Sequence, residues 1–180
     1  YAEAHSNLGS ILSDLGKLEE AKVITQKAID LNQDNGIAHS NLGGILKNLG
    51  ETEEAFNYYL KAIEINPKLS ENYSYITEFL GNCDASRLNK FKLKNILHLL
   101  LERDDITHNN LFRSFNFLYG NELERNLKDI DMNFSKDESF KFLITDELII
   151  NALKKIIFTD IRLEKSFTKI RRIICNSFTR

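Results

Sequence analysis

The chain has 180 residues, a formal net charge of −2, one proline and 42% hydrophobic residues. This hydrophobic content is enough for a core and excludes a chain that is disordered throughout, while the scarcity of proline argues against a β-sandwich. Cysteines occur only at positions 83 and 175, and no apolar run reaches the ~18 residues that cross a membrane, so we expect a cytoplasmic protein with reduced thiols.

A repeat with an offset of 34 residues occupies the first part of the chain. The segment Ala-His-Ser-Asn-Leu-Gly occurs at residues 4–9 and again at 38–43. Gly16 and Gly50 stand where the first helix of each unit must end and turn. Each unit is therefore predicted to form two helices, at about 2–15 and 18–31 in the first unit, and 36–49 and 52–65 in the second.

The pattern of small and large residues in this unit resembles the tetratricopeptide repeat (TPR). His5 and His39 stand where the family usually has Trp, and Gln33 stands where it usually has Pro. The resemblance covers about residues 2–69 and predicts a TPR α-solenoid. The matching positions are Leu8, Gly9, Leu12, Ala21 and Ala28, and then Leu42, Gly43, Leu46, Ala55, Tyr59, Ala62 and Pro67.

A third unit begins at Ser70 and then fades, since residues 81–84 interrupt the helical pattern and no alanine-rich second helix follows. The segment 70–80 is therefore predicted to close the stack by covering its last apolar face. We assign residues 1–82 to a TPR array with a closing helix, and residues 83–180 to a helical domain or spacer. Since the sequence begins inside the repeat pattern and without methionine, we expect a fragment of a longer protein.

The second half is also predicted to be helical, which makes the fold class all-α. Gly120 is expected to separate two of its helices, and a short strand at 140–144 is the best exception to helix. Its stretches 111–120 and 153–172 resemble the helical segment of marine cyanobacterial TPR-led multidomain proteins, where this block often precedes a methyltransferase-like domain. The predicted helices are 86–103, 107–119, 121–130, 145–158 and 160–178, with a capping-box pattern at 135–138.

Charge is concentrated at the C-terminal end, where residues 153–180 hold eight basic and two acidic residues. In the predicted helix 160–178, basic residues form one stripe and apolar residues another. A core helix with a solvated face is the favoured interpretation. Contact with an anionic membrane or nucleic acid, and docking onto the acidic repeats or a further domain, are the alternatives.

No catalytic constellation is visible in the sequence, so we predict a chain that is not an enzyme and needs no cofactor. His5 and His39 share one repeat position, which indicates a packing role, and no cysteine or acid lies at metal-ligand spacing from them. The Gly43-Gly44 pair lies within a predicted helix and is not followed by the Lys-Ser/Thr of a phosphate-binding loop. We therefore predict no metal site.

The TPR resemblance implies a binding groove lined by the first helix of each unit. It places Asn7 and Asn41 in this groove, where an amide with both a donor and an acceptor can pair with a peptide backbone, as in the asparagine ladder of the O-linked GlcNAc transferase repeats. The alternative is that both amides bond neighbouring helices. Tyr75 replaces the third asparagine, and Ser6 stands where a carboxylate clamp for chaperone C-termini needs Lys. The same face is expected to include Ser6, Ser10, Ser40, Gly44 and Lys47.

Two functional hypotheses follow. The first is a non-catalytic protein–protein interaction module whose partner is a protein or peptide segment held in the concave groove, without metal or specific nucleic acid. The second is the substrate-recruiting N-terminal part of a larger transferase, either a SAM-dependent methyltransferase or an O-GlcNAc-type glycosyltransferase, with its catalytic domain elsewhere.

Overall fold

The structure, a computed structural model, describes residues 1–128 and 145–156 together with the single positions 164 and 168. Within these residues the chain is helical and contains no strand, as the sequence predicts. The chain divides into two compact units, residues 1–92 and the part that begins at Leu93. The predicted domain boundary at 82/83 stays a prediction.

Unit 1 consists of two helical hairpins and one further helix. The observed ranges of α2, α3 and α4 agree with the predicted ones, and α1 and α5 differ only at their C-terminal ends, by one or two residues. A 3-10 turn at Ala85–Arg87 follows α5. The helices are α1 (Ala2–Asp14), α2 (Leu18–Leu31), α3 (Gly36–Leu49), α4 (Thr52–Ile65) and α5 (Ser70–Asn82).

The hairpins form where the sequence supplies a stop and a close approach. Gly16 and Gly50 adopt the left-handed conformation, with φ of 75° and 80°, in the turns that follow α1 and α3, and this conformation favours glycine because it has no Cβ. Within each hairpin, small residues let the helix backbones approach. Ala21, Ala28 and Ala55 are accordingly fully buried.

The helix α5 covers the second hairpin, as its predicted closing role requires. Phe79 is buried, with its ring centroid 6.2 Å from that of Phe56 and 5.4 Å from that of Tyr59. Ile76 and Leu80 are fully buried beside it. These contacts give unit 1 a continuous apolar core, which stabilises the stack at its C-terminal end.

In the second compact unit, the predicted helix break at Gly120 is wrong. The helix α7 (Phe112–Lys128) runs through Gly120, which was expected to end a helix. Among the described residues only Gly16 and Gly50 have positive φ, so Gly120 is an ordinary helical residue. A Cβ at Gly120 would lie 2.3 Å from Oδ1 of Asn116, so glycine leaves room for that amide. Leading into this unit, α6 (Lys90–Glu102) begins later than predicted because Leu88 has an extended backbone.

Polar contacts join the helices of the second unit. Asp146 caps α8 (Glu147–Lys155) by accepting hydrogen bonds from the backbone N–H groups of Leu148 and Ile149. Its other oxygen accepts a hydrogen bond from the Tyr119 hydroxyl at 3.4 Å and lies 3.7 Å from Nζ of Lys94. One carboxylate thus connects α6, α7 and α8. The predictions for 135–138, 140–144 and 160–178 lie outside the described residues.

Candidate peptide-binding groove

An open groove of about 250 Å³ is lined by α1, α3 and α5, the first helices of the two repeats and of the incomplete third one. This is the face on which the repeat pattern places the binding groove. The second helix of a hairpin contributes only Tyr59, from α4. The lining residues are Ser10, Ser13, Asp14, Ser40, Asn41, Gly44, Ile45, Lys47, Asn48, Tyr59, Tyr75 and Glu78.

Four of the six predicted site residues line the groove, and the other two do not. Ser10, Ser40, Asn41 and Lys47 line the groove, as does Gly44. Ser6 is buried and Asn7 is exposed, and neither lines the groove. A binding role for any of these six residues stays a prediction.

Asn41 has features of both roles considered for the repeated asparagine, a hydrogen bond between neighbouring helices and a contact with a bound peptide. Its Nδ2 donates a hydrogen bond of 3.1 Å to Oγ of Ser6, so one end of the amide joins two neighbouring hairpins. Its Oδ1 has no hydrogen-bond partner among the described residues. The half-buried amide therefore has an unused acceptor at the groove.

Tyr59 is a groove residue that the sequence analysis names only as a matching repeat position. Its ring is buried, and this burial raises the pKa of the phenol well above its usual value, so the hydroxyl stays protonated. A Cβ at Gly44 would lie 3.6 Å from this hydroxyl, which places the hydroxyl beside the open glycine surface. Within the described part of the chain no residue bonds the Tyr59 hydroxyl. The sequence feature that could have indicated the groove position of Tyr59 is the glycine pair at 43–44, which leaves room above the ring.

Other polar groups of the groove are already engaged. Ser40 donates a hydrogen bond of 2.7 Å to Oδ1 of the buried Asn72. Nζ of Lys47 lies 3.2 Å from Oε1 of Glu78 in an exposed ion pair. Asp14 is exposed at the groove as well. Two carboxylates thus accompany one paired ammonium group, and this charge balance is unfavourable for an acidic ligand.

Neither a metal cluster nor a membrane-spanning helix is found among the residues that the structure describes. They contain no group of three or more His, Cys, Asp or Glu side chains that could hold a metal ion. None of the helices that the structure describes is both long and apolar enough to pass through a membrane. His39 bonds the carbonyl oxygen of Gln33 at 2.9 Å, and His5 bonds that of Tyr1 at 2.9 Å. Both histidines hold backbone groups of their own turns.

Stacked helical hairpins with a groove along their first helices define a helical-repeat solenoid. Two family models, each described as a tetratricopeptide repeat, match residues 2–35 and 36–69. The chain therefore carries two tetratricopeptide repeats, and such repeats are protein–protein interaction modules. Comparison with curated proteins found no match. The resemblance of the second half to methyltransferase-type proteins stays a prediction.

Proposed function

We propose that this chain is a non-catalytic module that binds an extended peptide segment in the groove described above. The observation that carries the proposal is the pair of unused polar groups at the groove, Oδ1 of Asn41 and the hydroxyl of Tyr59. One accepts a hydrogen bond and the other donates or accepts, which matches the N–H and C=O groups of an extended backbone. Backbone recognition of this kind accepts many side chains.

The groove charges favour a neutral or basic segment. Asp14 and Glu78 are exposed, whereas the ammonium group of Lys47 is 3.2 Å from a Glu78 carboxylate oxygen. A peptide ending in a carboxylate would meet no unpaired cation at this groove, and a basic side chain would meet Asp14. We therefore expect weak selection by charge against acidic peptides.

The test is binding of synthetic peptides, first on an array and then in solution by fluorescence anisotropy. Asn41→Ala is expected to weaken binding about fivefold, because one hydrogen bond contributes ~1 kcal/mol. Asn7→Ala is the matched control, since Asn7 has the same repeat position and lies outside the groove. Gly44→Leu is expected to abolish binding by filling the space beside the Tyr59 hydroxyl. Equal effects of Asn7→Ala and Asn41→Ala, or full binding by Gly44→Leu, would refute the groove as the site.

The transferase hypothesis stays a prediction about a longer protein, and no relative found by the comparisons supports it. For this chain we expect no transfer of a methyl group from S-adenosylmethionine or of a sugar from UDP-GlcNAc. The measurement is incorporation of radiolabel from either donor into protein substrates. Turnover above the buffer control would contradict the proposal.

A further inference from the structure

The turn that joins the two hairpins, between α2 and α3, contains the only Asn-Gly pair of the chain, at Asn35 and Gly36. In such a pair the main-chain nitrogen of the glycine can attack the side-chain carboxamide carbon of the asparagine, because the glycine has no side chain to hinder the approach. Asn35 is half-buried, so water reaches it. The chain therefore carries the groups for a reaction with itself, and the surrounding contacts determine how often these groups meet.

Packing against the end of α4 explains why glycine occupies position 36. Gly36 is buried, and a Cβ there would lie 2.6 Å from Nδ2 of Asn66 and 3.5 Å from the carbonyl oxygen of Ala62. Any side chain at this position would force Asn66 to move. In the first repeat the same two positions carry Tyr1 and Ala2, so the reactive pair occurs in this turn alone.

Two hydrogen bonds hold both reacting groups in the folded chain. Oδ1 of Asn35 accepts from the backbone N–H of Ala38 at 3.1 Å, which makes the carboxamide the N-cap of α3. The backbone N–H of Gly36 donates to the carbonyl oxygen of Asp34 at 3.1 Å. Attack requires the Gly36 nitrogen to lose its proton and the carboxamide to turn toward it, so both bonds must break first. The rate of reaction therefore follows the population of chains in which the first turn of α3 is open.

We propose that Asn35 is a self-modification site, and that the first turn of α3 controls its reaction. When the turn opens, the Gly36 nitrogen loses its proton to water and bonds to Cγ of Asn35. The carboxamide C–N bond then breaks and its nitrogen leaves as ammonia, which leaves a five-membered succinimide. One water molecule opens this ring. Hydrolysis at Cγ gives aspartate at position 35, and hydrolysis at the main-chain carbonyl carbon gives isoaspartate. No oxidant or reductant is needed.

The two products are expected to affect α3 differently. Aspartate keeps an oxygen that accepts from the Ala38 N–H, and it places a negative charge beside a first helical turn that holds no acidic residue. Isoaspartate adds one carbon to the main chain. This carbon displaces both the cap oxygen and the carbonyl oxygen of residue 35, which accepts from the backbone N–H of His39 at 3.1 Å. Aspartate therefore preserves the turn, whereas isoaspartate disrupts it.

The first test compares the full chain with a synthetic peptide of residues 31–40, at physiological pH and temperature. Mass spectrometry of proteolytic fragments follows the conversion of Asn35. The full chain is expected to react at least about fivefold more slowly than the peptide, because the cap has to open. Equal rates would overturn control by the turn. Absence of product at Asn35 after an incubation that fully converts the peptide would overturn the site itself.

A matched pair of variants tests whether the turn controls the rate. Ala38→Gly is expected to accelerate conversion of Asn35 at least about fivefold, because glycine weakens the first turn of α3 without altering the reacting pair. Amide hydrogen exchange at residue 38 is expected to accelerate by a similar factor. Ala4→Gly is the control, since Ala4 has the same repeat position in α1, and it is expected to leave the rate unchanged. Equal acceleration by both variants would show that the rate follows unfolding of the whole unit, and would overturn control by the turn.

The products are compared by thermal unfolding. Asn35→Asp represents the aspartate product and is expected to have a Tm close to that of the wild type. The isoaspartate product is separated from aged protein by ion exchange and identified by fragmentation mass spectrometry. Its Tm is expected to be several degrees lower, because the cap of α3 is lost. An isoaspartate chain as stable as Asn35→Asp would overturn the predicted disruption of the turn.

Discussion

Neighbouring glycines in α3 have opposite structural roles. A Cβ at Gly43 would lie 3.0 Å from the Tyr59 ring, whose own position is fixed by burial and by Phe79. A Cβ at Gly44 would meet only the Tyr59 hydroxyl, at an ordinary 3.6 Å. Gly44→Ala is therefore expected to stabilise the chain by ~0.5–1 kcal/mol through helix propensity, whereas Gly43→Ala is expected to destabilise it. Urea unfolding of both variants measures the difference, and a shift of equal sign in both would contradict this account.

Thr25 carries a polar atom that the first hairpin does not use. The residue is fully buried between α1 and α2, and its Oγ1 has no hydrogen-bond partner in the described structure. Thr25→Val keeps the shape and removes the unsatisfied oxygen, so we expect a gain of ~1 kcal/mol in unfolding free energy. Thr25→Ser is the control, because it keeps the hydroxyl and loses a methyl group, and it is expected to lower stability. A loss in the valine variant would mean that the hydroxyl is satisfied in solution.

At the scale of elements, one ion pair joins the second helix of the first hairpin to the start of α4. The hydrogen bond from Lys22 lowers the pKa of Glu51 below its ordinary 4.5, and the same bond raises the pKa of Lys22 above 10.5. The stabilisation from Glu51 is therefore present above about pH 4.5 and is lost as pH falls through its lowered pKa. That from Lys22 is present below about pH 10.5 and is lost as pH rises through its raised pKa.

This linkage predicts the acid dependence of stability. Between about pH 5 and about pH 3, Tm of the wild-type chain is expected to fall more steeply than that of Glu51→Gln, which has no proton to take up at this position. Glu53→Gln is the matched control, since it removes an acid from the same helical turn without touching this ion pair, and its slope is expected to follow the wild type. Parallel curves for the wild type and Glu51→Gln would show that the pair does not persist in solution.

The helices of the repeats were predictable because each boundary signal occurs twice. Gly16 and Gly50 mark the same turn at an offset of 34 residues, so the ranges of α2, α3 and α4 followed directly. Gly120 has no repeated counterpart of this kind. A glycine ends a helix only where the backbone enters the left-handed region, and at Gly120 the contact with Asn116 was the actual reason for glycine.

The repeat register also predicted four of the residues that line the groove. The differences at Asn7 and Tyr59 arise from the side chains and helices around them. Ser10, Ser40, Asn41 and Lys47 follow from which helix face each hairpin presents. Asn7 has the same register as Asn41, but no preceding hairpin within the described residues meets it, so identical repeat positions have different surroundings. Tyr59 was missed because a single side chain serves two places, with its ring in the core and its hydroxyl at the groove.

At the scale of the whole molecule, the first compact unit extends beyond the repeats. Its last ten residues hold the buried Ala85 and Leu88. Asp84 caps the 3-10 turn by accepting from the backbone N–H of Ser86 at 3.0 Å. Lys92 donates to Oδ1 of Asn57 at 2.7 Å, which ties the segment back to α4. These contacts indicate that the closing part of the unit is the segment through residue 92, and not α5 alone.

A fragment of residues 1–92 is therefore expected to unfold at a higher temperature than a fragment of residues 1–82. Burial of one Leu contributes ~1.5–3 kcal/mol, which corresponds to about 6–24 °C in a unit of this size. Leu88→Ala in the longer fragment is expected to remove most of the difference, whereas Lys92→Ala, which removes only an exposed contact, is expected to change Tm little. Thermal unfolding followed by circular dichroism measures all four. Equal Tm values for the two fragments would instead place the end of the repeat unit at residue 82.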